Sequence, residues 1–162
     1  MRDGRTIVQH HALNDIVVHK GGHNRVLRLA WSVDGAEVGS YVADGLIAAT
    51  PTGATGYSLS AGGPLVVPSL DVVIATLICP HALGVRPIVL AGQQPIEIHL
   101  EHDGGGAGLS FDGQVEERLE TGDRIVIERS ERVVRLVGLD MTSYFDHLRT
   151  AFSWGRRADR TR

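Results

Sequence analysis

The sequence is short of cysteine, of aromatic residues and of long apolar runs, and each shortage excludes a class of protein. A single cysteine, Cys79, cannot form an internal disulfide, and its apolar neighbours predict a buried, unreactive thiol. Aromatic residues make up 5% of the chain, few for a nucleic-acid-binding surface. The longest apolar run, residues 72 to 79, falls far below the roughly 18 residues of a membrane span. We therefore expect a soluble, cytoplasmic protein that binds neither nucleic acid nor membrane.

Motifs of several common enzyme classes are also missing. No Gly-Lys-Ser/Thr follows the glycine-rich stretch, which excludes a P-loop, and no G-x-S-x-G elbow supports a serine hydrolase. The eight histidines form no metal-ligand pattern, since His10 and His11 are adjacent, while His99 and His102 would point to opposite faces of a strand. We predict no metal site. The main cationic cluster lies in residues 153 to 162, which we interpret as a basic, flexible tail.

Alternating apolar residues and Gly-rich turns predict a mainly β fold. The 162 residues, 43% hydrophobic and 22% charged, fit one globular domain. About ten short strands follow one another with few helices between them, which favours an antiparallel β-sandwich. Residues 52 to 61 predict a short inserted helix, and residues 142 to 152 a C-terminal helix capped by Thr142. The predicted strands cover residues 16–18, 25–34, 38–42, 46–49, 71–78, 87–90, 95–100, 109–111, 115–119, 124–128 and 133–139. Hairpin turns are predicted at Asp3-Gly4, Asp34-Gly35 and Asp112-Gly113.

Residues 44 to 64, DGLIAATPTGATGYSLSAGGP, are the most informative stretch of the sequence. A buried-strand run ends in a Thr-Pro-Thr-Gly turn that opens a short helix rich in Ser and Thr. Gly53 permits a close backbone approach, and Thr52 and Thr55 place hydroxyls near free N–H groups of the first turn. The pattern indicates a site for a polar ligand such as a nucleotide. An ordinary capped helix explains the same residues, and that alternative stays open.

Two further positions are candidates for polar contacts. Asn14-Asp15 join an amide, which donates and accepts, to a carboxylate, which only accepts, a pairing suited to a purine edge and a ribose diol. Asp44, beside Gly45, is suited to accept from an amide or from sugar hydroxyls. Each has a simpler interpretation, an Asx turn for the first and an Asp-Gly turn for the second.

Four stretches of the chain together resemble the NAD kinase family, enzymes that phosphorylate NAD to NADP. They are ALNDIVVHKG at residues 12 to 21, DGLIAATPTGATGYSLSAGGPLVVPSLD at 44 to 71, CPHALGVRPIVL at 79 to 90 and FDGQ at 111 to 114. The resemblance implies the family's C-terminal β-sandwich domain over residues 1 to 152. Family members also have an N-terminal α/β domain whose GGDG motif carries the catalytic aspartate. This sequence contains no GGDG, so we expect the chain to lack that domain and its catalytic residue.

The resemblance also implies an NAD site and its chemistry. It assigns Asn14 to the adenine side of NAD and Asp15 to ribose hydroxyls. Thr52 and Thr55 match residues of the adenine pocket, and Tyr57 packs beside them. The implied substrates are NAD and a phosphoryl donor, either ATP or polyphosphate, with Mg²⁺ neutralising phosphate charge.

The remaining implied contacts involve the nicotinamide end of NAD. Gly56 and Ser60 match positions near its carboxamide, and Asp44 matches a residue that reaches this end from a neighbouring subunit. The resemblance thus implies a homo-oligomer, a dimer or more commonly a tetramer. The family usually has Ser-Thr-Ala-Tyr where this chain has Ala-Thr-Gly-Tyr, a departure expected to weaken binding without changing its mode. The alternatives left open are a non-catalytic NAD(P)-binding or oligomerisation module and a lipid kinase of the same superfamily.

Overall fold

Ten β-strands and two α-helices make up the part of the protein described by a computed structural model, residues 1–21, 26–135, 137 and 143–153. The strands are β1 (Asp15–Lys20), β2 (Leu27–Val33), β3 (Ala36–Ala43), β4 (Gly45–Ala49), β5 (Val72–Ile78), β6 (Ile88–Ala91), β7 (Ile96–His102), β8 (Ala107–Phe111), β9 (Val115–Leu119) and β10 (Arg124–Ile127). The helices are α1 (Tyr57–Ser60) and α2 (Tyr144–Phe152), and a 3-10 turn covers Gly53–Thr55. The chain divides into two compact units, Met1–Arg132 and Val133–Arg162, and these ten strands lie in the first.

The strands form two antiparallel sheets that share one core. The larger sheet has the order β6-β5-β4-β1-β8-β9, and the smaller has the order β10-β7-β2-β3. Val18 and Leu46 of the larger sheet belong to the same buried cluster as Leu29 and Ile98 of the smaller one, and all four are fully buried. The two sheets therefore pack face to face, which confirms the predicted antiparallel β-sandwich.

The central strands of the larger sheet are buried on both faces. In β4, Leu46 faces the core between the sheets, whereas its neighbour Ile47 belongs to a second apolar cluster. That second cluster also contains Ala54 and Val66, so the chain after β4 covers the outer face of the sheet. Because successive residues of a strand point to opposite faces, the sheet has one face toward the sandwich core and one toward residues 53–66.

The three Asp-Gly hairpin turns form where the sequence predicts them. The φ angles of Asp and Gly are 49° and 75° at positions 3 and 4, 50° and 76° at 34 and 35, and 51° and 66° at 112 and 113. Positive φ at both central residues is the mirror-image turn whose twist matches that of the flanking strands. Asp and Gly adopt this conformation at lower cost than most residues, which is why the pair is so informative.

The helix predicted over residues 52 to 61 is shorter than expected and broken in two. The 3-10 turn Gly53–Thr55 ends at Gly56, whose ψ of −129° is not helical, and α1 then adds a single turn. Glycine lowers helix propensity by about 1 kcal/mol per residue, and this segment contains two. One of them, Gly53, packs against the backbone of Asn14. Contacts with the sheet therefore decide the conformation of this segment.

The strand predicted over residues 133 to 139 does not form in its described residues, 133–135 and 137. Strand propensity depends on packing against a neighbouring pleated surface. Val133 and Val137 are 74% and 85% exposed, and residues this exposed lack the burial that favours a strand. An apolar, β-branched run is therefore insufficient to make this strand.

The C-terminal helix α2 is present with a cap one residue later than predicted. The Ser143 hydroxyl accepts from the Asp146 N–H, while the Asp146 carboxylate accepts from the Ser143 N–H at 3.1 Å. This capping box satisfies two N–H groups that the first helical turn leaves free. The predicted cap Thr142, residue 25 of the second predicted strand and tail residues 154–162 lie outside the described residues. Within the part that the structure describes, no helix is long and apolar enough to cross a membrane.

The prediction of a buried Cys79 is wrong. β5 ends at Ile78, and Cys79 has a φ of 46° and an exposed side chain. Because this left-handed conformation interrupts the strand, the side chain does not continue the buried pattern of β5. A periodic apolar run predicts the strand but cannot locate the residue at which the chain turns away.

Candidate functional site

The backbone that leads into β1 is held by the carboxylate of Asp112. Asp112 Oδ2 accepts a hydrogen bond from the Leu13 N–H at 2.8 Å. Asp112 Oδ1 accepts from the Asn14 and Asp15 N–H groups at 2.6 and 3.0 Å. The Asp112 N–H donates in turn to the Asp15 carbonyl oxygen at 3.0 Å. Antiparallel pairing of β1 with β8 brings these residues together although 97 positions separate Asp15 from Asp112.

These contacts determine the charge state of Asp112. Burial of its carboxyl opposes ionisation, but the three N–H donors of residues 13–15 outweigh burial and hold the pKa of Asp112 below its usual value. Hydrogen bonds to a carboxylate favour the charged form because the donors compensate its lost hydration. At neutral pH Asp112 is therefore a carboxylate with its charge directed at the start of β1.

Thr50, the residue that follows β4, ties the same segment from the other neighbouring strand. Its N–H donates to the Asn14 carbonyl oxygen at 2.8 Å. Its hydroxyl donates to the Leu13 carbonyl oxygen at 2.7 Å and accepts from the Gly53 N–H at 3.2 Å. One threonine thus connects the start of β1 with the 3-10 turn, while Asp112 holds the segment from the β8 side.

Gly53 packs directly on the backbone of Asn14. A Cβ atom at position 53 would lie 2.1 Å from the Asn14 carbonyl oxygen and 2.5 Å from its carbonyl carbon. Since real Cβ atoms do not approach so closely, glycine is required here by space. The sequence indicates a close backbone approach to a ligand at this position, whereas the group that approaches Gly53 in the structure is the protein's own backbone at Asn14.

The side chains of Asn14 and Asp15 have no partner among the described residues. Both residues are half-buried, and neither side chain makes a hydrogen bond or ion pair there. Burial, and to a lesser extent the negative charge of Asp112, raise the pKa of the Asp15 carboxyl. Strand alternation places Asp15 on the same face as Val17, the outer face covered by residues 53–66. A half-buried, unpaired carboxylate costs free energy, and such groups are typical of binding sites.

The other sequence-predicted residues of this face lie on the segment that follows β4. Thr55 is half-buried, and four of them are exposed to solvent: Thr52, Gly56, Tyr57 and Ser60. Tyr57 exposes 48% of its surface, an unusual fraction for a large aromatic side chain. The segment therefore presents hydroxyl groups and an aromatic ring to solvent.

Helix α1 is anchored to the sheet through Ser58. Its hydroxyl oxygen lies 3.1 Å from that of Thr76 on β5, and both residues are fully buried. At the end of the helix the Gly63 N–H donates to the Ser58 carbonyl oxygen at 2.7 Å. A Cβ at position 63 would lie 2.3 Å from Ser58 Oγ, so this glycine is also required by space. The glycine at the end of the helix thus allows the chain to pack closely on Ser58.

Asp44 is not brought to the other predicted residues within one chain. The β1–β4 ladder pairs Asp15 with Ala49, which puts Asp44 about 17 Å away along β4. The carboxylate of Asp44 forms an ion pair with Lys20, whose Nζ lies 2.8 Å from Asp44 Oδ1. Asp44 therefore lies at the opposite end of the strand pair from Asn14 and Asp15.

Sequence reasoning missed two residues of this site, Asp112 and Thr50. The sequence identifies Asp112 only as a hairpin residue, and it gives no reason to single out Thr50. The available signal is the FDGQ stretch among the segments that resemble the NAD kinase family, because a hairpin alone requires only Asp-Gly. Recognising the role of Asp112 requires the pairing of β1 with β8, which no local pattern reveals.

No metal centre is found in the part of the chain that the structure describes. No three or more His, Cys, Asp or Glu side chains lie together there in a way that could hold an ion. These residues therefore do not fit a Mg²⁺ site of their own. No residue of this chain is assigned to the Mg²⁺ that the family's chemistry implies, and no step is derived through it.

Comparison of the sequence identifies the relatives of this chain. Residues 13–139 match the family model described as the ATP-NAD kinase C-terminal domain. NAD kinase of Geotalea daltonii is 46% identical over 156 residues, which cover 96% of this chain and 55% of that protein. NAD kinase of Thiobacillus denitrificans is 44% identical over 157 residues, which cover 97% of this chain and 54% of that protein. The chain thus spans about half the length of the curated relatives it matches.

Comparison of the fold agrees with the sequence. The crystal structure of yeast NADH kinase complexed with NADH matches with a TM-score of 0.71 and 38% identity, over 76% of this chain and 36% of that one. The crystal structure of an NAD kinase from Archaeoglobus fulgidus in complex with ATP matches with a TM-score of 0.67 and 38% identity, over 74% of this chain and 46% of that one.

Proposed function

The chain belongs to the NAD kinase family, and on that premise we propose that it is the NAD-binding part of an enzyme that phosphorylates the adenosine 2′-hydroxyl of NAD to give NADP. The yeast relative in complex with NADH supports a dinucleotide as the acceptor. The Archaeoglobus relative in complex with ATP supports ATP as the phosphoryl donor, with polyphosphate as the alternative.

The observation that carries this proposal is that the side chains of Asn14 and Asp15 have no partner among the described residues, while the backbone around them is held from two sides. Asp112 and Thr50 form hydrogen bonds with the backbone groups around Asn14 and Asp15. Among the described residues, the two side chains therefore remain available to a ligand. A ligand that meets preorganised groups loses little free energy in ordering them. In the proposal Asn14 contacts the adenine side of NAD, and Asp15 accepts hydrogen bonds from ribose hydroxyls.

The rest of the proposed NAD site lies on the segment after β4 and on a neighbouring subunit. Residues proposed to line the adenine pocket are Thr52, Thr55 and Tyr57, and those proposed near the nicotinamide carboxamide are Gly56 and Ser60. Asp44, which lies far from this site within one chain, would reach the NAD of a neighbouring subunit. The proposal therefore includes a homo-oligomer, a dimer or a tetramer.

The proposed division of labour follows from the chemistry of phosphoryl transfer. Transfer needs a positioned acceptor hydroxyl, a bound donor and a base that orients the nucleophile. This chain would position the acceptor. Its sequence contains no GGDG motif, the stretch in which the family's catalytic aspartate lies, so we expect the chain alone to bind NAD without turnover.

Isothermal titration of NAD into the purified chain tests the proposal. Binding is expected for the wild type and for Glu37→Ala, a control that removes an exposed carboxylate on the smaller sheet. Asp15→Ala is expected to bind at least about tenfold more weakly, since it removes a charged acceptor. A wild type that binds neither NAD nor NADP would refute the proposal. NADP formation from ATP, Mg²⁺ and NAD by this chain alone would refute the expectation that the chain binds NAD without turnover.

A second candidate function is a non-catalytic NAD(P)-binding or oligomerisation module. The observation in its favour is that the described site offers Asn14 and Asp15 for binding, while this sequence contains no GGDG motif. Joining the chain to the first half of the Geotalea daltonii NAD kinase separates the two functions. Turnover of NAD by the fusion protein would favour the kinase, and a folded fusion that binds NAD without turnover would favour the module.

A further inference from the structure

Three hairpins of this protein share one backbone conformation and differ in what the aspartate side chain contacts. The pairs Asp3-Gly4, Asp34-Gly35 and Asp112-Gly113 have φ angles of 49° and 75°, 50° and 76°, and 51° and 66°. Asp3 and Asp34 make no side-chain hydrogen bond within the described residues. The Asp112 carboxylate accepts the N–H groups of residues 13–15. All three turns favour Asp or Asn followed by Gly, but the contacts require a carboxylate only at position 112.

We infer that Asp112 is a positioning residue of the NAD site, which orients Asn14 and Asp15 through their backbone N–H groups and acts on the Asp15 carboxylate through its own charge. This inference rests on the proposed function. Asp112 itself need not touch NAD, because it acts through the two residues proposed to do so. The Thr50 N–H and hydroxyl donate to the carbonyl oxygens of Asn14 and Leu13. Of these two residues, Asp112 alone therefore holds the backbone N–H groups of the same segment.

An asparagine at position 112 distinguishes the role of this residue in the turn from the role of its carboxylate. Asparagine adopts the left-handed conformation as readily as aspartate, so the hairpin is unaffected. Its amide offers one oxygen and one NH₂ group, which donates and cannot accept. At least one of the three backbone N–H groups would then face another donor. The backbone of residues 13–15 would lose part of its support, and the negative charge near Asp15 would be gone.

The charge of Asp112 gives a readout that loss of backbone order does not give. Burial and the negative charge of Asp112 raise the pKa of Asp15. If ionised Asp15 accepts the ribose hydroxyls, NAD affinity decreases as the pH falls through this pKa. Removing the charge at position 112 lowers the pKa of Asp15, so the midpoint of the decrease shifts to lower pH. A purely structural defect would weaken binding at every pH and leave the midpoint unchanged.

The test compares Asp112→Asn with the matched variant Asp34→Asn in the full 162-residue chain. NAD is titrated into each protein over a series of pH values that runs from neutral down to the unperturbed Asp pKa of about 3.9. We expect Asp112→Asn to bind NAD at least about tenfold more weakly at neutral pH, with its midpoint at lower pH than the wild type. Asp34→Asn should match the wild type in both respects. Asp112→Glu keeps the charge and should retain the wild-type midpoint.

Every outcome of this test bears on the inference. Equal NAD binding by Asp112→Asn and Asp34→Asn would overturn it and leave the proposed function intact. Weaker binding by Asp112→Asn with an unchanged midpoint would also overturn it, since that result assigns a structural role only. A wild type that does not bind NAD would overturn the proposed function itself. If neither Asp112 variant folds, as judged by circular dichroism, the residue serves stability, and the inference is wrong.

Discussion

Gly53 lies so close to Asn14 that a Cβ atom at position 53 would meet the Asn14 carbonyl oxygen at 2.1 Å. The contact joins the two stretches of the chain from which the proposed NAD site is built, the start of β1 and the turn that follows β4. Thr50 bridges the same two stretches, since its hydroxyl bonds to both Leu13 and Gly53. The side chains of these two stretches can therefore contact the same ligand only if this close backbone contact is preserved.

The first prediction concerns the substitution Gly53→Ala. The added methyl group would collide with backbone, which cannot move aside as a flexible side chain does. We expect the free energy of unfolding to fall by about 3 kcal/mol or more, because a collision with backbone is more severe than ordinary overpacking of side chains. NAD binding should be lost along with the contact. Urea unfolding measures the first effect, and isothermal titration measures the second.

Gly84→Ala is the control for this substitution, because a Cβ at position 84 would meet no atom within 4 Å. Its free energy of unfolding should stay within about 0.5 kcal/mol of the wild type. If Gly53→Ala has the stability and the NAD affinity of Gly84→Ala, position 53 does not require glycine.

The second prediction is that Asp15→Asn stabilises the protein while weakening NAD binding. The pKa of Asp15 is raised in the folded state, so the folded protein holds this proton more tightly than the unfolded chain does. Ionised Asp15 therefore costs stability at neutral pH, and the cost disappears as the pH falls below the unfolded pKa of about 3.9. Asparagine removes the cost, as expected for a group kept for function.

Thermal unfolding at several pH values measures the stability of Asp15→Asn. The melting temperature of the variant should exceed that of the wild type by a few degrees at neutral pH, and the difference should vanish in acid. The variant should bind NAD at least about tenfold more weakly than the wild type. A variant less stable than the wild type at neutral pH would show that the carboxylate has a stabilising partner.

The fold was predictable where it depends on local patterns. Period-2 alternation identifies β2, and the Asp-Gly pairs identify three hairpins, because both signals reflect the geometry of adjacent residues. The order of strands in the larger sheet has no such local signal, since β1 lies between β4 and β8. The exposed Cys79 shows the same limit, because a single left-handed residue reverses the outcome of an apolar run.

The candidate site was predictable in its residue types but not in its construction. Asn14, Asp15 and the Thr-Pro-Thr-Gly turn follow from their chemistry together with the family resemblance. The tether from Asp112 could not be predicted, since a carboxylate in an Asp-Gly turn has the same sequence signature whether or not it accepts distant N–H groups. The difference arises from strand pairing across 97 positions. Long-range contacts of this kind determine how the backbone of the candidate site is held, and local patterns do not reveal them.

The third prediction concerns the buried hydroxyl pair Ser58 and Thr76, which holds α1 on the sheet. Thr76→Val leaves the Ser58 hydroxyl buried without its partner, and Ser58→Ala does the same to Thr76. Each single variant should lose about 1–3 kcal/mol in the free energy of unfolding, the usual cost of an unsatisfied buried group. The double variant should lose less than the sum of the two, because it leaves neither hydroxyl alone. Additive losses in a urea-unfolding cycle would show that the two hydroxyls are not coupled.

The fourth prediction concerns the pH dependence of the ion pair between Arg2 and Asp123. Arg2 Nε and Nη2 donate to the two oxygens of Asp123 at 2.8 Å each, and Asp123 is 3% exposed. The Arg2 guanidinium, helped by the Glu120 N–H and opposed by burial, holds the pKa of Asp123 below its usual value. The ion pair therefore stabilises the fold above the unfolded carboxyl pKa of about 3.9, and this stability is lost as the pH falls through the lower, folded pKa.

Arg2→Gln should accordingly melt below the wild type at neutral pH, and the gap should close as the pH falls toward the folded pKa of Asp123. Arg86→Gln is the matched control, because the Arg86 guanidinium donates to the carbonyl oxygens of Leu83 and Val85, which do not titrate. Any loss of stability in that variant should be the same at each pH. Thermal unfolding from neutral pH to the acid limit of the fold measures both variants. A gap between Arg2→Gln and the wild type that stays constant with pH would mean that ionised Asp123 is stabilised by its backbone donor rather than by Arg2.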